Sequence, residues 1–111
     1  MMITEKNNIE QIHEMSDMFK LLGDKTRLTI VALLKEKELC VCDIVGAVGI
    51  SQPGVSQHLR KLKDGGLVNE QRKGQWIYYS LSLDDKPYVK ELLEYIPSLK
   101  EKLENQNHCC D

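Results

Sequence analysis

The sequence predicts a mainly helical domain that carries one small β-hairpin and additional helices at both ends. Apolar residues recur every three or four positions along most of the chain, which is the period of an amphipathic helix. Between residues 67 and 81 this period gives way to the alternation of paired strands. Because 111 residues make one ordinary domain, we expect a single domain over residues 1–111.

Two amphipathic helices are expected at the beginning of the chain. The first has an apolar stripe that ends before Gly23, a frequent residue at helix ends. Its members are Ile9, Ile12, Met15, Met18, Phe19 and Leu22. Asp24 can then cap a second helix, whose apolar face includes Leu28, Val31 and Leu34.

The next segment has the pattern of a helix-turn-helix over residues 42–65. A short third helix runs from Cys42 to Val48 and ends at Gly49. Ser51 then caps a longer fourth helix that ends at Gly65. A short helix, a tight turn and a longer helix are the parts of this motif.

The remaining chain predicts a wing and a terminal helix. Residues 67–81 form two short strands joined through Lys73-Gly74-Gln75, so the domain is a winged helix-turn-helix. A last helix is expected over residues 84–104, bent near Pro97. Residues 105–111 form a thiol-bearing tail. The stripes of the first and last helices exceed what one core needs, so we expect a homodimer.

The charge distribution points to nucleic acid. The formal net charge is −2, but residues 51–75 carry five basic and two acidic side chains. In a winged helix-turn-helix the fourth helix enters the major groove of double-stranded DNA, where Gln and Arg can bond base edges. We expect Ser51 at its start, and base reading by Gln52, Ser56, Gln57, His58 and Arg60. Phosphate contacts are expected from Lys61, Lys63, Arg72 and Lys73.

Cys40 and Cys42 lie directly ahead of this motif, and thiolates are ligands for soft metals. The N-terminus lacks a signal-peptide pattern and the apolar runs are short, so we expect a cytoplasmic protein with no membrane span. Reduced thiols follow from that compartment. Residues two apart on a helix point in nearly opposite directions, so we expect metal to unwind the start of the third helix. Asp43 is expected to cap that helix, and the less favoured alternative is that it supports the metal-binding thiols.

Five stretches together resemble the ArsR/SmtB repressors. They are DKTRL at 24–28, ELCVCD at 38–43, SQPGVSQHL at 51–59, GGLV at 65–68 and KGQWIYY at 73–79. The resemblance covers residues 15–82. It implies a homodimeric winged-helix repressor of metal-resistance operons that leaves operator DNA when metal binds.

The resemblance also bears on the inducer. The arsenic-responsive branch typically has three cysteines in Cys-Val-Cys-Asp-Leu-Cys, and Val45 stands at the third position here. Some of its members use C-terminal cysteine pairs, so Cys109 and Cys110 are expected to join Cys40 and Cys42 around As(III) or Sb(III). A Cd(II)- or Pb(II)-responsive repressor of the same family is one alternative. A thiol redox-sensing repressor is another.

Catalysis is not expected. His13, His58 and His108 fall in separate elements, and the sequence has no Cys-x-x-Cys pair and no glycine-rich phosphate loop. We therefore predict neither an enzyme nor an organic cofactor.

Overall fold

The computed structural model describes residues 7–105, which form a helical body and a small antiparallel sheet. The elements, in chain order, are α1 (Asn8–Leu22), α2 (Lys25–Glu36), β1 (Leu39–Cys40), α3 (Val41–Val48), α4 (Gln52–Asp64), β2 (Val68–Lys73), β3 (Trp76–Leu81), α5 (Pro87–Leu93) and α6 (Lys100–Glu104). This arrangement confirms the predicted winged helix-turn-helix with additional terminal helices. No helix of the described part is long and apolar enough to cross a membrane.

Side-chain caps fix the starts of the first two helices. The Asn7 side chain accepts a hydrogen bond from the backbone N–H of Glu10 at 2.8 Å. Asp24 Oδ1 accepts from the backbone N–H groups of Thr26 and Arg27 at 2.9 and 3.0 Å. The bond from the Arg27 N–H is the main cause that holds the pKa of Asp24 below its ordinary value. Asp24 is therefore the N-cap that its sequence position predicts.

The turn between α3 and α4 is built on a glycine. Gly49 has φ +83°, in the left-handed region, and its N–H donates to the carbonyl of Val45 at 2.9 Å. Ser51 follows as the N-cap of α4, where its Oγ accepts from the Gly54 N–H at 3.2 Å. The predicted boundaries of both helices hold to within one residue.

The core determines which face of α4 is free. Val55, Leu59 and Leu62 of this helix are buried, at spacings of four and three residues that place them on one side. They join buried side chains from every helix and from the sheet, including Ile30, Leu33, Ile44, Leu67, Val89 and Leu103. The opposite side of α4 is left to solvent.

The sheet has one strand more than the sequence predicts. Its order is β1-β3-β2, with β3 antiparallel to both neighbours. In β1, Leu39 pairs with Tyr79 and Cys40 pairs with Tyr78. A two-residue strand is too short to show an alternating pattern, so only the fold reveals it. The wing is therefore hydrogen-bonded to the segment that carries Cys40.

The prediction of one helix over residues 84–104 is wrong, because two prolines divide this region. The residue before a proline avoids helical geometry, and α5 accordingly begins at Pro87. Pro97 has no N–H to donate, and the chain leaves the helix after Leu93. The exposed fraction of Leu92 is 41%, so this residue does not point into the core.

Two side chains of α2 replace the missing helical bonds at this break. Lys35 Nζ donates to the carbonyl groups of Leu93 and Ile96, both at 3.0 Å. Glu36 Oε2 accepts from the Leu99 N–H at 3.2 Å. The end of α2 therefore holds the chain as it turns into α6.

The Gly49 turn makes a testable prediction. Gly49→Ala should lower the free energy of unfolding by about 1–2 kcal/mol, the cost of a left-handed L-residue. A Cβ there meets no atom within 4 Å, so the cost is conformational and not a clash. Gly49→Asn is the matched control and should lose less, because Asn tolerates this region. Equal losses in the two variants, measured by urea denaturation, would contradict this explanation.

Candidate thiol site and nucleic-acid interface

Cys40, Cys42 and Asp43 form a compact group, named here the thiol cluster. The Sγ atoms of Cys40 and Cys42 are 3.2 Å apart, too far for a disulfide between them, which needs about 2.05 Å. Asp43 Oδ2 lies 3.3 Å from Cys40 Sγ. One ligand atom from each of the three residues falls within 4.8 Å of the others. All three residues also have further contacts, and neither cysteine is a free thiol in this structure.

The backbone explains why the two sulfurs converge. Cys40 ends β1 with φ −89° and ψ 167°, and it is the N-cap of α3 and not a helical residue. Cys42 lies one residue into the first turn. The reason for expecting α3 to unwind does not hold in this geometry, because only one of the two cysteines is helical; the unwinding itself stays a prediction. The sulfurs approach each other while the helix is intact.

Asp43 has a different position from the one expected. The start of α3 has no side-chain cap hydrogen bond, so the prediction that Asp43 caps it is wrong. The carboxylate instead faces Cys40 Sγ, and the residue is only 5% exposed. A buried carboxylate next to two sulfurs can offer a third ligand atom to a metal ion or orient the two thiol groups. Cys109 and Cys110 lie outside the described residues.

The outward side of α4 carries most of the predicted DNA contacts. Ser51, Gln52, Ser56 and Gln57 are exposed, as are Arg60, Lys61 and Lys63. Arg60 and Lys61 make no hydrogen bond or ion pair through their side chains with any residue between 7 and 105. Such side chains can meet a ligand without first breaking an internal bond. Their role in DNA binding stays a prediction.

His58 differs from the other predicted readers. It is half-buried, and its Nδ1 lies 3.3 Å from Nη1 of Arg27. The Nε of Arg27 donates to the carbonyl of Leu21 at 2.8 Å. The imidazole therefore links α4 to α2.

Lys63 belongs to a small network that joins the end of α4 to the wing. Its Nζ donates to Glu70 Oε1 at 2.5 Å, and the hydroxyl of Tyr79 donates to Glu70 Oε2 at 2.9 Å. The hydrogen bond from Lys63 is the main cause of a lowered Glu70 pKa. Burial, aided by the Glu70 carboxylate, raises the pKa of Tyr79 to about 12. Because Glu70 and Tyr79 are direct cross-strand partners, their register could have predicted this contact.

The two basic residues of the wing differ in their surroundings. Arg72 is exposed, and within the described ranges its side chain has neither a hydrogen bond nor an ion pair. Lys73 instead forms an ion pair with Glu38, and its Nζ lies 5.0 Å from the ring centroid of Tyr78. Sequence reasoning missed Glu38, because 35 positions separate it from Lys73.

Comparison with known proteins places this geometry in a family. The model described as "Bacterial regulatory protein, arsR family" matches residues 24–70. An arsenic resistance transcriptional regulator of Pseudomonas putida is 41% identical over 69% of the chain and 61% of its own length. An arsenical resistance operon repressor of Escherichia coli is 50% identical over 59% of the chain and 56% of its own length. The chain thus spans about three fifths of these two relatives. A cadmium resistance regulatory protein homologue of Staphylococcus aureus is 40% identical over 73% of the chain and 65% of its length.

Solved structures agree on the fold. The homodimeric winged helix-turn-helix domain of a possible ArsR-family regulator from Mycobacterium bovis has a TM-score of 0.70 and 29% identity. The match covers 97% of this chain and 98% of the chain from Mycobacterium bovis. Reduced HlyU from Vibrio cholerae has a TM-score of 0.71 and 30% identity, over 79% of the chain and 95% of its own.

The Tyr79 network makes a second prediction. Tyr79→Phe should lower the free energy of unfolding at neutral pH by about 1 kcal/mol, because one partly buried hydrogen bond to a carboxylate is lost. The folded pKa is raised above the ordinary 10, so this stabilisation is fully present below pH 10 and falls as pH rises through about 12. Tyrosinate absorbance should show a component near pH 12 that the variant lacks. A variant with that component intact would refute the assignment.

Proposed function

The chain belongs to the ArsR family of bacterial regulatory proteins, and on that premise we propose that it is a metal(loid)-responsive transcriptional repressor. It binds operator DNA as a homodimer and leaves the DNA when As(III) or Sb(III) binds its thiolates. The observation that carries the proposal is the convergence of the Cys40 and Cys42 sulfurs at the start of α3. In the chain, α3 is followed directly by α4, whose outward side is exposed.

The DNA-binding part of the proposal depends on α4 and the wing. The buried apolar residues of α4 hold it on the core, while its outward side presents Gln, Ser and Arg for base edges in the major groove. Lys61 and Arg72, at the end of α4 and on the wing, are exposed for phosphates. Such contacts position the protein on any DNA sequence, and the α4 side chains specify one.

The dimeric part is supported by apolar surface outside the core. Ile9 and Ile12 of α1 are 60% and 57% exposed, and Phe19 is 48% exposed. Leu92 and Tyr95, in the α5 region, are 41% and 82% exposed. Covering such side chains with a second copy would remove apolar area from water. A two-fold dimer would read half-sites one or two DNA turns apart.

The metal-binding part follows from ligand chemistry. Thiolates favour soft ions, and Asp43 adds a carboxylate to the two sulfurs. Further thiolates are proposed to come from Cys109 and Cys110. The contacts of Lys35 and Glu36 support this source, because they hold the chain that leads to the tail against the end of α2.

Chain length is compatible with a site inside one subunit. Cys40 follows Glu36 by four residues, within about 14 Å even if the backbone is extended. Cys109 follows Glu104 by five residues, a reach of up to about 17 Å. Together with the contact between Glu36 and Leu99, these short lengths support a tail that reaches Cys40 within the same subunit.

Two alternatives have specific support. A relative at 40% identity is named as a cadmium resistance regulator, which favours Cd(II) or Pb(II) as the inducer. A thiol redox switch is favoured by the 3.2 Å between the two sulfurs. In that case peroxide would accept two electrons and two protons from a pair of thiols, forming a disulfide and water.

The thiol cluster makes a prediction for induction. Arsenite should weaken DNA binding of the reduced wild-type protein by about 5- to 150-fold, the usual range of coupling between sites. Cys40→Ser and Cys42→Ser should bind DNA with wild-type affinity but lose this response. The measurement is fluorescence anisotropy on a duplex that the wild-type protein has selected from random DNA. Release of Cys40→Ser by arsenite, to the wild-type extent, would overturn the proposal.

Matched experiments separate the inducers. The double variant Cys109→Ser/Cys110→Ser should have a weaker response if the tail supplies ligands, and an unchanged response would restrict the site to the thiol cluster. Cd(II), Pb(II) and peroxide are titrated in parallel. Release by peroxide with no effect of arsenite would favour the redox switch, and release by Cd(II) or Pb(II) alone would favour the cadmium branch.

The α4 surface makes a prediction for specificity. Gln57→Ala should reduce the free energy of binding to the selected duplex by about 1–3 kcal/mol, because it removes a base contact. Binding to random DNA should change little. Lys61→Ala should weaken binding to both duplexes. It should also reduce the slope of log affinity against log salt by about 0.9 per protomer. Equal losses on both duplexes for Gln57→Ala would contradict a base-reading role.

A further inference from the structure

The wing lysine that is expected to meet DNA phosphate already has an anionic partner. Lys73 Nζ forms an ion pair with Glu38, and the two side chains are 47% and 33% exposed. Glu38 is neither on the wing nor on α4. It lies two residues before Cys40, on the segment that enters β1.

The contacts around this pair form a continuous path to the thiol cluster. Lys73 ends β2, and its ammonium also lies 5.0 Å from the ring centroid of Tyr78 on β3. Tyr78 is the strand partner of Cys40. The ion pair of Glu38 and Lys73 therefore lies beside the ring of Tyr78, which is on the strand next to Cys40.

The geometry points to Glu38 as a competitor of DNA phosphate for Lys73. A carboxylate and a phosphate oxygen both accept charge-assisted hydrogen bonds from an ammonium group. While Glu38 holds Lys73, a phosphate that approaches the wing gains less from this cation and is repelled by the carboxylate. Glu38 therefore lowers DNA affinity without touching DNA, and it is a positioning residue.

A second lysine–glutamate pair within residues 7–105 provides a contrast. Lys63 is held by Glu70, but Glu70 lies on β2 and is fixed by the hydroxyl of Tyr79. That network joins α4 to the wing, and it reaches the cysteine segment only through the strand pairing of Tyr79 with Leu39. Glu38, in contrast, lies on the same segment as Cys40, two residues before it.

This placement links the ion pair to induction, an inference that rests on the proposed function. Cys40 and Cys42 would hold a metal ion at the end of β1, two residues after Glu38, so that binding would act on the strand that pairs with β3 beside the wing. A firmer hold of Glu38 on Lys73 removes one phosphate contact from each protomer. The thiol cluster then acts on the wing through Glu38 as well as on α4 through α3.

A double-mutant cycle with Glu38→Gln and Lys73→Gln tests the competition. In metal-free protein Glu38→Gln should tighten binding to the selected duplex about two- to fivefold, the range for a surface ion pair. It should also steepen the salt dependence by up to about 0.9 per protomer, since Lys73 becomes available to phosphate. In the Lys73→Gln background the same substitution should have no such effect.

The control for net charge is Glu91→Gln, which removes one negative charge from a side chain of α5 that has no ion pair within residues 7–105. The inference is overturned if Glu38→Gln tightens binding no more than Glu91→Gln does. It is also overturned if the gain persists without Lys73. Urea denaturation establishes that every variant is folded at the temperature of the binding assay.

Arsenite titrations distinguish the failure of this inference from the failure of the proposed function. If wild-type protein is released by arsenite, Glu38→Gln should be released by a smaller factor, and an equal factor overturns the link to induction. If arsenite leaves the wild-type protein on DNA, the proposed inducer is wrong. The metal-free cycle still decides whether Glu38 and phosphate compete.

Discussion

The pairing of β1 with β3 is the constraint on which the thiol cluster depends. It holds Cys40 in extended geometry at the edge of α3, so that its sulfur turns toward Cys42 on the first helical turn. A helical Cys40 would place the two sulfurs on different sides. The same pairing attaches this segment to Tyr78, and thereby to the wing. One short strand therefore sets both the geometry of the thiol cluster and its connection to the wing.

Burial assigns the two faces of α4 in an equally simple way. Val55, Leu59 and Leu62 anchor the helix, and their spacing leaves the polar residues between them outside. Internal bonds then divide the basic residues into two groups. Arg60 and Lys61 are available to an anion, whereas Lys63 and Lys73 are held by carboxylates. The ion pairs of the second group join Lys63 to β2 of the wing and Lys73 to the segment that precedes β1.

Helix caps, turn residues and hydrophobic periodicity predict most of the fold. They do not predict contacts between segments that are distant in the sequence. Asp24, Gly49 and Ser51 identified helix ends because a cap depends on a few neighbouring residues. The strand β1 left no pattern, since two residues cannot alternate. The apolar periodicity of residues 84–104 predicts one helix, but the structure has two. Pro97 and the contacts of α2 with the chain after α5 interrupt it. The cysteines were found from their residue type, but Asp43 as their neighbour required the fold.

X-ray absorption at the arsenic edge of arsenite-loaded protein tests the central claim most directly, because it counts the atoms bound to the metalloid. If Cys40 and Cys42 bind one ion together, the first shell contains sulfur, and the number of sulfur atoms falls by one in Cys40→Ser and by one in Cys42→Ser. A shell of oxygen alone, or a sulfur count that is unchanged in both variants, would contradict the account.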